Sequence, residues 1–98
     1  MILDFRDRWL REFFVLDRTA RNIPPDLESR LFRKLQLLDD ARSDSDLRVP
    51  PSNHFERLCG NLDGWYSIRV NDQWRLIFHW DSEQGEAADV FLDNHGYR

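Results

Sequence analysis

The chain has 98 residues and a formal net charge of −4, and its composition is 41% hydrophobic and 13% aromatic. This length predicts a single domain over residues 1–98, and the apolar content is enough for a buried core. One cysteine excludes an internal disulfide, and three widely separated histidines predict no metal site. No cofactor is predicted. No apolar run approaches the ~20 residues of a membrane span, and the N-terminus does not resemble a signal peptide, so we expect a cytoplasmic protein.

The negative charge is concentrated near the C-terminus. Residues 81–98 carry −4, whereas residues 1–42 carry +1 and residues 43–80 carry −1. Thirteen of the 14 basic residues are arginine, whose planar guanidinium binds phosphate in a bidentate manner and stacks on bases. This bias is compatible with RNA or carboxylate recognition, but it is also common on ordinary salt-bridged surfaces.

Apolar spacing predicts the elements of the first half of the chain. A short strand is expected at residues 2–5, followed by a helix over residues 7–16 and, after Pro24 and Pro25, a second helix over residues 26–41. The second helix rests on a repeat at intervals of four, four and three formed by Leu27, Leu31, Leu35 and Leu38. The polar segment 43–53 predicts a connecting loop. From Phe55 onward the apolar period is two, so the order of elements indicates an α+β domain.

The hydrophobic pattern distinguishes between two possible strand registers of the hairpin near residue 72. A two-residue turn would place position 69 opposite position 74 and mix apolar with charged residues on both faces. A three-residue turn instead pairs Val70 with Trp74, and one face then becomes uniformly apolar, as a half-buried sheet requires. That face consists of Tyr66, Ile68, Val70, Trp74, Leu76 and Phe78. The same register places Arg69 opposite Arg75 on the other face, a like-charge pair that typically costs up to ~1 kcal/mol.

The last predicted strand follows the same parity. Placing Ala88, Val90 and Leu92 on the core face permits a register in which Asp93 lies opposite Arg75. In that register Asp89 would lie opposite His79.

The charged residues predicted on the non-core face could have either of two roles. Arg69 and Arg75 form a positive focus suited to a phosphate, and Asp93 with His95 could move protons. Because no metal motif is present, the natural reaction is metal-free RNA cleavage, in which a ribose 2′-hydroxyl attacks the adjacent phosphate. The alternative is that Arg75 and Asp93 form an ordinary surface salt bridge worth ~0 to 1 kcal/mol and that Arg69 is solvated.

Residues 67–78, with the sequence SIRVNDQWRLIF, resemble the signature of HigB toxins, the plasmid-maintenance killer branch of the RelE superfamily. Similar residues extend over nearly the whole chain, at positions 1–5, 38–41, 50–53 and 58–61. The resemblance implies a RelE-like α+β fold with two N-terminal helices packed on a mostly antiparallel sheet of four to five strands. It also implies a ribosome-dependent mRNA interferase that cleaves codons in the ribosomal A site and thereby inhibits growth.

The resemblance implies partners as well. A cognate HigA-like helix-turn-helix antitoxin would neutralise the toxin, and the pair would repress their own operon, so that operator DNA is contacted only through the antitoxin. The ribosome and mRNA are the other expected partners, and no membrane is involved.

Site residues follow from the family positions that this chain matches. Arg75 matches the strand arginine expected to hold the scissile phosphate, and Arg69 occupies a neighbouring position that is often basic. The family's terminal Asp-Tyr-His triplet corresponds here to Asp93, Asn94 and His95. Asp93 and His95 would share the proton transfers, whereas Asn94 lacks the phenol of the tyrosine that it replaces.

Further contacts to RNA are expected from Asn94 and from Tyr97, which could stand in for the missing tyrosine. A local arginine patch would contact RNA on the ribosome, with Arg6, Arg8, Arg48 and Arg57 as candidates. Some family members carry histidine where this chain has Glu56.

Three hypotheses therefore remain at this stage. The chain is an active interferase, or it is a catalytically degenerate member that acts as an antitoxin-binding module or co-repressor, which the loss of the tyrosine at Asn94 would favour. The third is an unrelated salt-bridged α+β domain.

Overall fold

The computed structural model describes residues 1–59 and 64–94, and within these ranges it has three α-helices and one four-stranded sheet. The helices are α1 (Arg8–Leu16), α2 (Glu28–Asp40) and α3 (Asp44–Leu47), with short 3₁₀ turns at Pro25–Leu27 and Pro51–Asn53. The strands are β1 (Glu56–Arg57), β2 (Trp65–Arg69), β3 (Trp74–Asp81) and β4 (Glu86–Asn94). The two predicted N-terminal helices are thus confirmed.

Both long helices form because their apolar residues share one side. Helix α1 buries Leu10 and Phe13 and ends at Asp17, whose left-handed backbone (φ 55°) redirects the chain. Helix α2 buries a stripe of leucines with no exposed surface, at Leu31, Leu35 and Leu38. Its first turn is 3₁₀ and begins at Pro25, since proline is well suited to the start of a helix, where its missing N–H costs no hydrogen bond.

The predicted loop over residues 43–53 is more ordered than its polar composition suggests. It contains α3, which buries Leu47, and it ends on the fully buried amide of Asn53. That amide nitrogen donates to the carbonyl oxygens of Leu47 and Val49, each at 3.1 Å, and its oxygen accepts a hydrogen bond from Lys34 Nζ on α2. The segment that leads into the sheet is therefore fixed to α2.

The sheet has the order β1-β2-β3-β4, and each neighbouring pair is antiparallel. The N-terminal segment runs parallel to β4 and meets it through two isolated bridges, Ile2 with Ala87 and Phe5 with Val90. The predicted first strand is therefore present only as these two bridges.

The hairpin register predicted from the sequence is confirmed. Arg69 lies directly opposite Arg75, and the Val70 N–H donates to the Trp74 carbonyl at 2.9 Å. The turn is held by the Asn71 side-chain oxygen, which accepts from the backbone N–H groups of Gln73 and Trp74, each at 2.8 Å. Such an Asx turn lets asparagine close a tight loop without glycine.

The predicted register of β4 is right at one end and wrong at the other. Arg75 pairs with Asp93 as predicted, but a β-bulge shifts the strand so that His79 lies opposite Ala88 rather than Asp89. As a result Ala87, not Ala88, is buried in the core. The cause is Asp89, whose positive φ of 53° places it in the left-handed region, where an extra residue can be accommodated in one strand.

The N-terminal segment holds this bulge in place. The Asp89 N–H donates to the carboxylate of Asp4, and the Asp89 carboxylate pairs with Arg6 at 3.0 Å. The pairing of a distant segment thus stabilises an unusual backbone conformation in β4.

The core lies between the helices and one face of the sheet. The sheet and the start of the hairpin turn contribute fully or almost fully buried side chains at Ile68, Val70, Leu76, Phe78, Ala87 and Val90. Across residues 1–59 and 64–94, none of the helices combines the length and the apolar character that crossing a membrane would demand.

Candidate functional site

The sheet face opposite the core, called here the second face, carries the chemically active side chains. They lie in cross-strand rows because paired residues of neighbouring strands project to the same side. The first row, called here the arginine row, consists of Arg69, Arg75 and Asp93. The middle row consists of Glu56, Ser67, Ile77 and Phe91. The last row contains Trp65 and His79.

Arg75 is the centre of the arginine row. It lies between a like charge, Arg69, and an opposite charge, Asp93, whose Oδ2 is 3.5 Å from Arg75 Nε. The two side chains of this ion pair are only 12% and 23% exposed. These two atoms are buried and make no hydrogen bond within the described residues. Since buried polar atoms are nearly always hydrogen-bonded, the pair stands out as a place where a further polar partner can be accepted.

Arg69 has a weaker partner than Arg75. Its Nη1 lies 3.9 Å from Asp72 Oδ1, and the Asp72 side chain is fully exposed. A long contact with a solvated carboxylate contributes little. Two guanidinium groups therefore lie side by side, and the one close carboxylate, Asp93, lies on the far side of Arg75 from Arg69, which leaves a positive focus.

A small cavity of about 50 Å³ opens beside the two arginines. It is called here the site cavity, and it is lined by His54, Glu56, Ser67, Arg69 and Arg75. An imidazole, a carboxylate and a hydroxyl thus share one cavity with two guanidinium groups, which is a set able to bind a phosphate and move protons. Among residues 1–59 and 64–94, no group of three or more His, Cys, Asp or Glu side chains could hold a metal ion.

Sequence reasoning did not select His54 or Ser67 and noted Glu56 only as a departure from the family. His54 lies in the left-handed region (φ 45°) directly after the 3₁₀ turn, so the chain reverses there and brings the imidazole to the cavity. Glu56, in β1, reaches the cavity because it pairs with Ser67 of β2. A strand of two residues carries no detectable alternation, so the sequence could not place Glu56 on the second face. For Ser67, the alternation of residues in β2 was the available signal.

The far end of the second face is aromatic. The rings of Trp65 and His79 have centroids 3.7 Å apart, and Trp65 meets Phe91 edge to face at 5.6 Å. The Arg6 guanidinium lies 4.1 Å from the Phe91 centroid and 5.0 Å from the Trp65 ring centroid. Because Arg6 also pairs with Asp89, this end of the face is held together by the N-terminal segment.

The structure brings together three of the predicted site residues, Arg69, Arg75 and Asp93. The register places Arg57 opposite Tyr66 and Asn94 opposite Trp74, and both of these positions belong to the core-facing side of the sheet. His95 and Tyr97 lie outside the described residues. In the predicted arginine patch, Arg8 pairs with Glu12, and Arg48 lies 4.0 Å from Asp44 and over the ring of Phe55.

The fold and the second face define a small α+β protein whose antiparallel sheet carries two adjacent arginines on the face opposite the core. Residues 3–95 match the family model described as the RelE-like toxin of the type II toxin-antitoxin system HigB. The chain is 54% identical to Toxin HigB-1 of Vibrio cholerae over 97 residues, which covers 99% of this chain and 100% of the relative. It is also 41% identical to an uncharacterized protein of Haemophilus influenzae over 93 residues, or 95% of this chain and 90% of that protein.

The chain therefore belongs to the HigB-like family of RelE-like toxins, as the resemblance of residues 67–78 predicted. It is a toxin of a toxin-antitoxin system, and such a toxin has an antitoxin as its partner. RelE-like toxins are in general endoribonucleases. The helices packed on an antiparallel sheet agree with the predicted RelE-like α+β fold. Membership excludes the hypothesis of an unrelated salt-bridged domain.

Proposed function

We propose that this toxin is a ribosome-dependent mRNA endonuclease that cuts mRNA in the ribosomal A site without a metal ion. The observation that carries the proposal is the arginine row beside the site cavity, where Arg69 and Arg75 line a space shared with His54 and Glu56. Two guanidinium groups match the charge of a phosphodiester, and the neighbouring imidazole and carboxylate match the need for proton transfer.

The chemistry requires no covalent enzyme intermediate. The ribose 2′-oxygen attacks the adjacent phosphorus, the bond from phosphorus to the 5′-oxygen breaks, and a 2′,3′-cyclic phosphate and a 5′-hydroxyl result. Negative charge grows on the non-bridging oxygens as the pentavalent transition state forms. Arg75, held by Asp93 at 3.5 Å, is proposed to stabilise that charge, with Arg69 as a second donor to RNA.

Two protons move in this reaction. One leaves the attacking 2′-hydroxyl, and one reaches the departing 5′-oxygen. We assign these transfers to Asp93 and His95, the family positions that this chain retains. The site cavity adds His54 and Glu56 as groups near enough to the two arginines to take part. The proposed RNA contacts of Arg57, Asn94 and Tyr97 stay predictions.

The ribosome would position the RNA substrate, which the net negative charge of this protein does not attract. The net charge of −4 provides no long-range attraction to free RNA, so binding depends on local groups of cationic side chains. A ribosome holds the codon in the A site, so the toxin needs only a local positive patch to engage it. In the cell we propose a cytoplasmic toxin that a HigA-like helix-turn-helix antitoxin neutralises, with operator DNA contacted through that antitoxin.

The test is induction of the toxin without its antitoxin, followed by mapping of mRNA 5′ ends. We expect growth arrest and cuts within codons for the wild type, and loss of both for Arg75→Ala with His95→Ala. The matched control is Arg11→Ala, which removes an exposed arginine of α1 that lines neither the cavity nor the arginine row. Full activity of the double variant would contradict the proposed mechanism.

The products provide a second test. Fragments should end in 2′,3′-cyclic phosphate and begin with 5′-hydroxyl, and a 2′-deoxy sugar at the cut position should block cleavage on programmed ribosomes. Cleavage at that deoxy position would show that the 2′-oxygen is not the nucleophile.

A second candidate function is that of an antitoxin-binding module or co-repressor that has lost cleavage. The observation that favours it is Asn94, which stands where the family has tyrosine. In that case the wild type would be inert and Asn94→Tyr would restore cleavage, whereas an active wild type rejects this candidate.

A further inference from the structure

A second and larger depression lies beside the site cavity. It has a volume of about 450 Å³ and runs between α2 and the tip of the β2-β3 hairpin. We call it the α2 groove. Three of its lining side chains, Arg30, Arg33 and Lys34, come from one side of α2, because residues three and four positions apart are neighbours on a helix surface. The hairpin contributes Arg69, so four cationic side chains line one groove.

Within the described residues, the charge of this groove is only partly neutralised. In the described part of the chain, neither Arg30 nor Arg33 has an ion pair, and the carboxylate that lines the groove, Asp72, is fully exposed and 3.9 Å from Arg69. Lys34 donates to the neutral amide of Asn53, which supplies no negative charge. Burial lowers the pKa of Lys34, and the nearby Arg33 and Arg30 lower it further. Arg33 and Arg30 therefore lie close enough to Lys34 for their positive charges to oppose its protonation.

The α2 groove and the site cavity share one lining side chain. Arg69 lines both the α2 groove and the site cavity, and Arg75 lies directly opposite it across the hairpin. A strand with its scissile phosphate at Arg75 has neighbouring phosphates on the same polymer. The cationic side chains that line the groove from Arg69 to α2 offer positions for those phosphates.

We infer that the α2 groove binds backbone phosphates of the RNA strand that is cut, next to the scissile phosphate. This inference rests on the proposed function, because it takes the arginine row as the position of the scissile phosphate. RNA is favoured over an acidic peptide because the groove is shared with the proposed phosphate site through one guanidinium, and because its lining is mainly cationic and polar. Guanidinium forks and an ammonium point charge are both common phosphate ligands.

The first experiment measures binding without cleavage. The full chain is titrated against a short fluorescein-labelled single-stranded RNA at about 50 to 200 mM KCl. The variant Arg30→Gln with Arg33→Gln should weaken binding by about tenfold or more. It should also reduce the slope of log K against log salt by about 0.7 for each phosphate that the variant no longer neutralises.

The matched control is Arg11→Gln with Arg21→Gln. It removes the same charge from two exposed arginines that do not line the groove. We expect its salt slope to equal that of the wild type. Equal losses in the two double variants would mean that only net charge matters, and an unchanged slope in the groove variant would mean that no phosphate is bound there. Either result overturns the inference. A groove variant that weakens binding to polyglutamate but not to RNA would also overturn it, in favour of an acidic protein partner.

The second experiment separates the substrate strand from ribosomal RNA. The variant Arg33→Cys, made with Cys59→Ser to remove the exposed native thiol, carries a benzophenone attached through maleimide. It is bound to ribosomes programmed with mRNA that has a 2′-O-methyl sugar at the A-site cut position. Cross-links to mRNA support the inference, and cross-links to ribosomal RNA or protein alone overturn it.

Failure of the inference can be told apart from failure of the proposed function. If the wild type cuts mRNA on ribosomes but the groove variant binds and cuts equally well, the function stands and the groove assignment falls. If the wild type does not cut mRNA but the groove variant selectively lowers the salt slope on RNA, the groove binds phosphate and the endonuclease proposal falls.

Discussion

The two faces of the sheet are built from the same strands but obey different physical demands. On the core face, Leu76 and Phe78 have no exposed surface and belong to the same buried core as the leucines of α2. On the second face, Arg75 lies one residue away from Leu76 and is placed between another arginine and an aspartate. One face maximises buried apolar area, whereas the other keeps a like-charge pair that stability alone would remove.

The difference indicates that the second face retains charge at a cost in stability. A like-charge pair across two strands is unfavourable, and an ion pair with unsatisfied buried atoms gains little from its geometry. Proteins often keep such local costs where a ligand must be bound. Substitutions on the two faces should therefore separate stability from activity.

The largest effect on stability is expected from Leu76→Ala. This change removes a fully buried side chain from the core face, and it should lower the free energy of unfolding by about 2 to 5 kcal/mol. Urea denaturation followed by tryptophan fluorescence measures this loss. A decrease below about 1 kcal/mol would show that the core face is not closely packed there.

The largest effect on activity is expected one residue earlier, from Arg75→Gln. The amide retains a donor near Asp93 but loses the positive charge, so cleavage on programmed ribosomes should fall by about 100- to 1,000-fold. The free energy of unfolding should change by only about 1 kcal/mol. Arg11→Gln is the control for charge. If Arg75→Gln cut mRNA at the wild-type rate, Arg75 would not be the residue at the scissile phosphate.

The contrast between the faces also explains what could be predicted from the sequence. The hairpin register follows from local alternation, since only a three-residue turn gives one uniformly apolar face, and the structure has that turn. The opposition of Arg69 and Arg75 follows directly from that register. The leucine repeat of α2 is equally decisive because its period is long and regular.

The features that could not be predicted depend on distant contacts or on very short elements. The bulge at Asp89 is held by Asp4 and Arg6, which lie more than 80 residues earlier in the chain. The site cavity also needs β1, a strand of only two residues, and a reversal at His54 after a 3₁₀ turn. No period can be read from elements of this length.

A smaller effect is expected from Arg69→Gln, which tests the cost of the like-charge pair. Removing one of the two opposed charges should raise the free energy of unfolding by up to about 1 kcal/mol while it lowers cleavage less than Arg75→Gln does. Denaturation at low and high salt measures the gain, which screening should reduce at high salt. Arg69→Lys keeps the charge and should show no such gain. A loss of stability in Arg69→Gln would mean that Arg69 contributes packing or pairing that outweighs the repulsion.

The smallest effect, and the most local, is a change in the pKa of Lys34. Burial, Arg33 and Arg30 lower this pKa from its ordinary value of 10.5. Arg33→Gln removes the charge that repels the Lys34 ammonium more strongly than Arg30 does, so the pKa of Lys34 should rise toward 10.5. Lys34 is the chain's single lysine, so its side-chain carbon resonance can be followed by NMR titration without ambiguity.

The lowered pKa also fixes the direction of a pH effect on folding. Between the folded-state pKa of Lys34 and 10.5, the unfolded chain binds more protons than the folded chain, so stability contributed by this group increases with pH across that window. Arg33→Gln should narrow this pH range by raising the folded-state pKa of Lys34, and Arg11→Gln should leave the range unchanged. Phosphate bound in the α2 groove should act in the same direction as Arg33→Gln, because a negative charge beside Lys34 favours its protonated form. If neither Arg33→Gln nor added RNA raised the pKa of Lys34, the groove would lack the uncompensated positive potential that distinguishes it from an ordinary solvated helix surface.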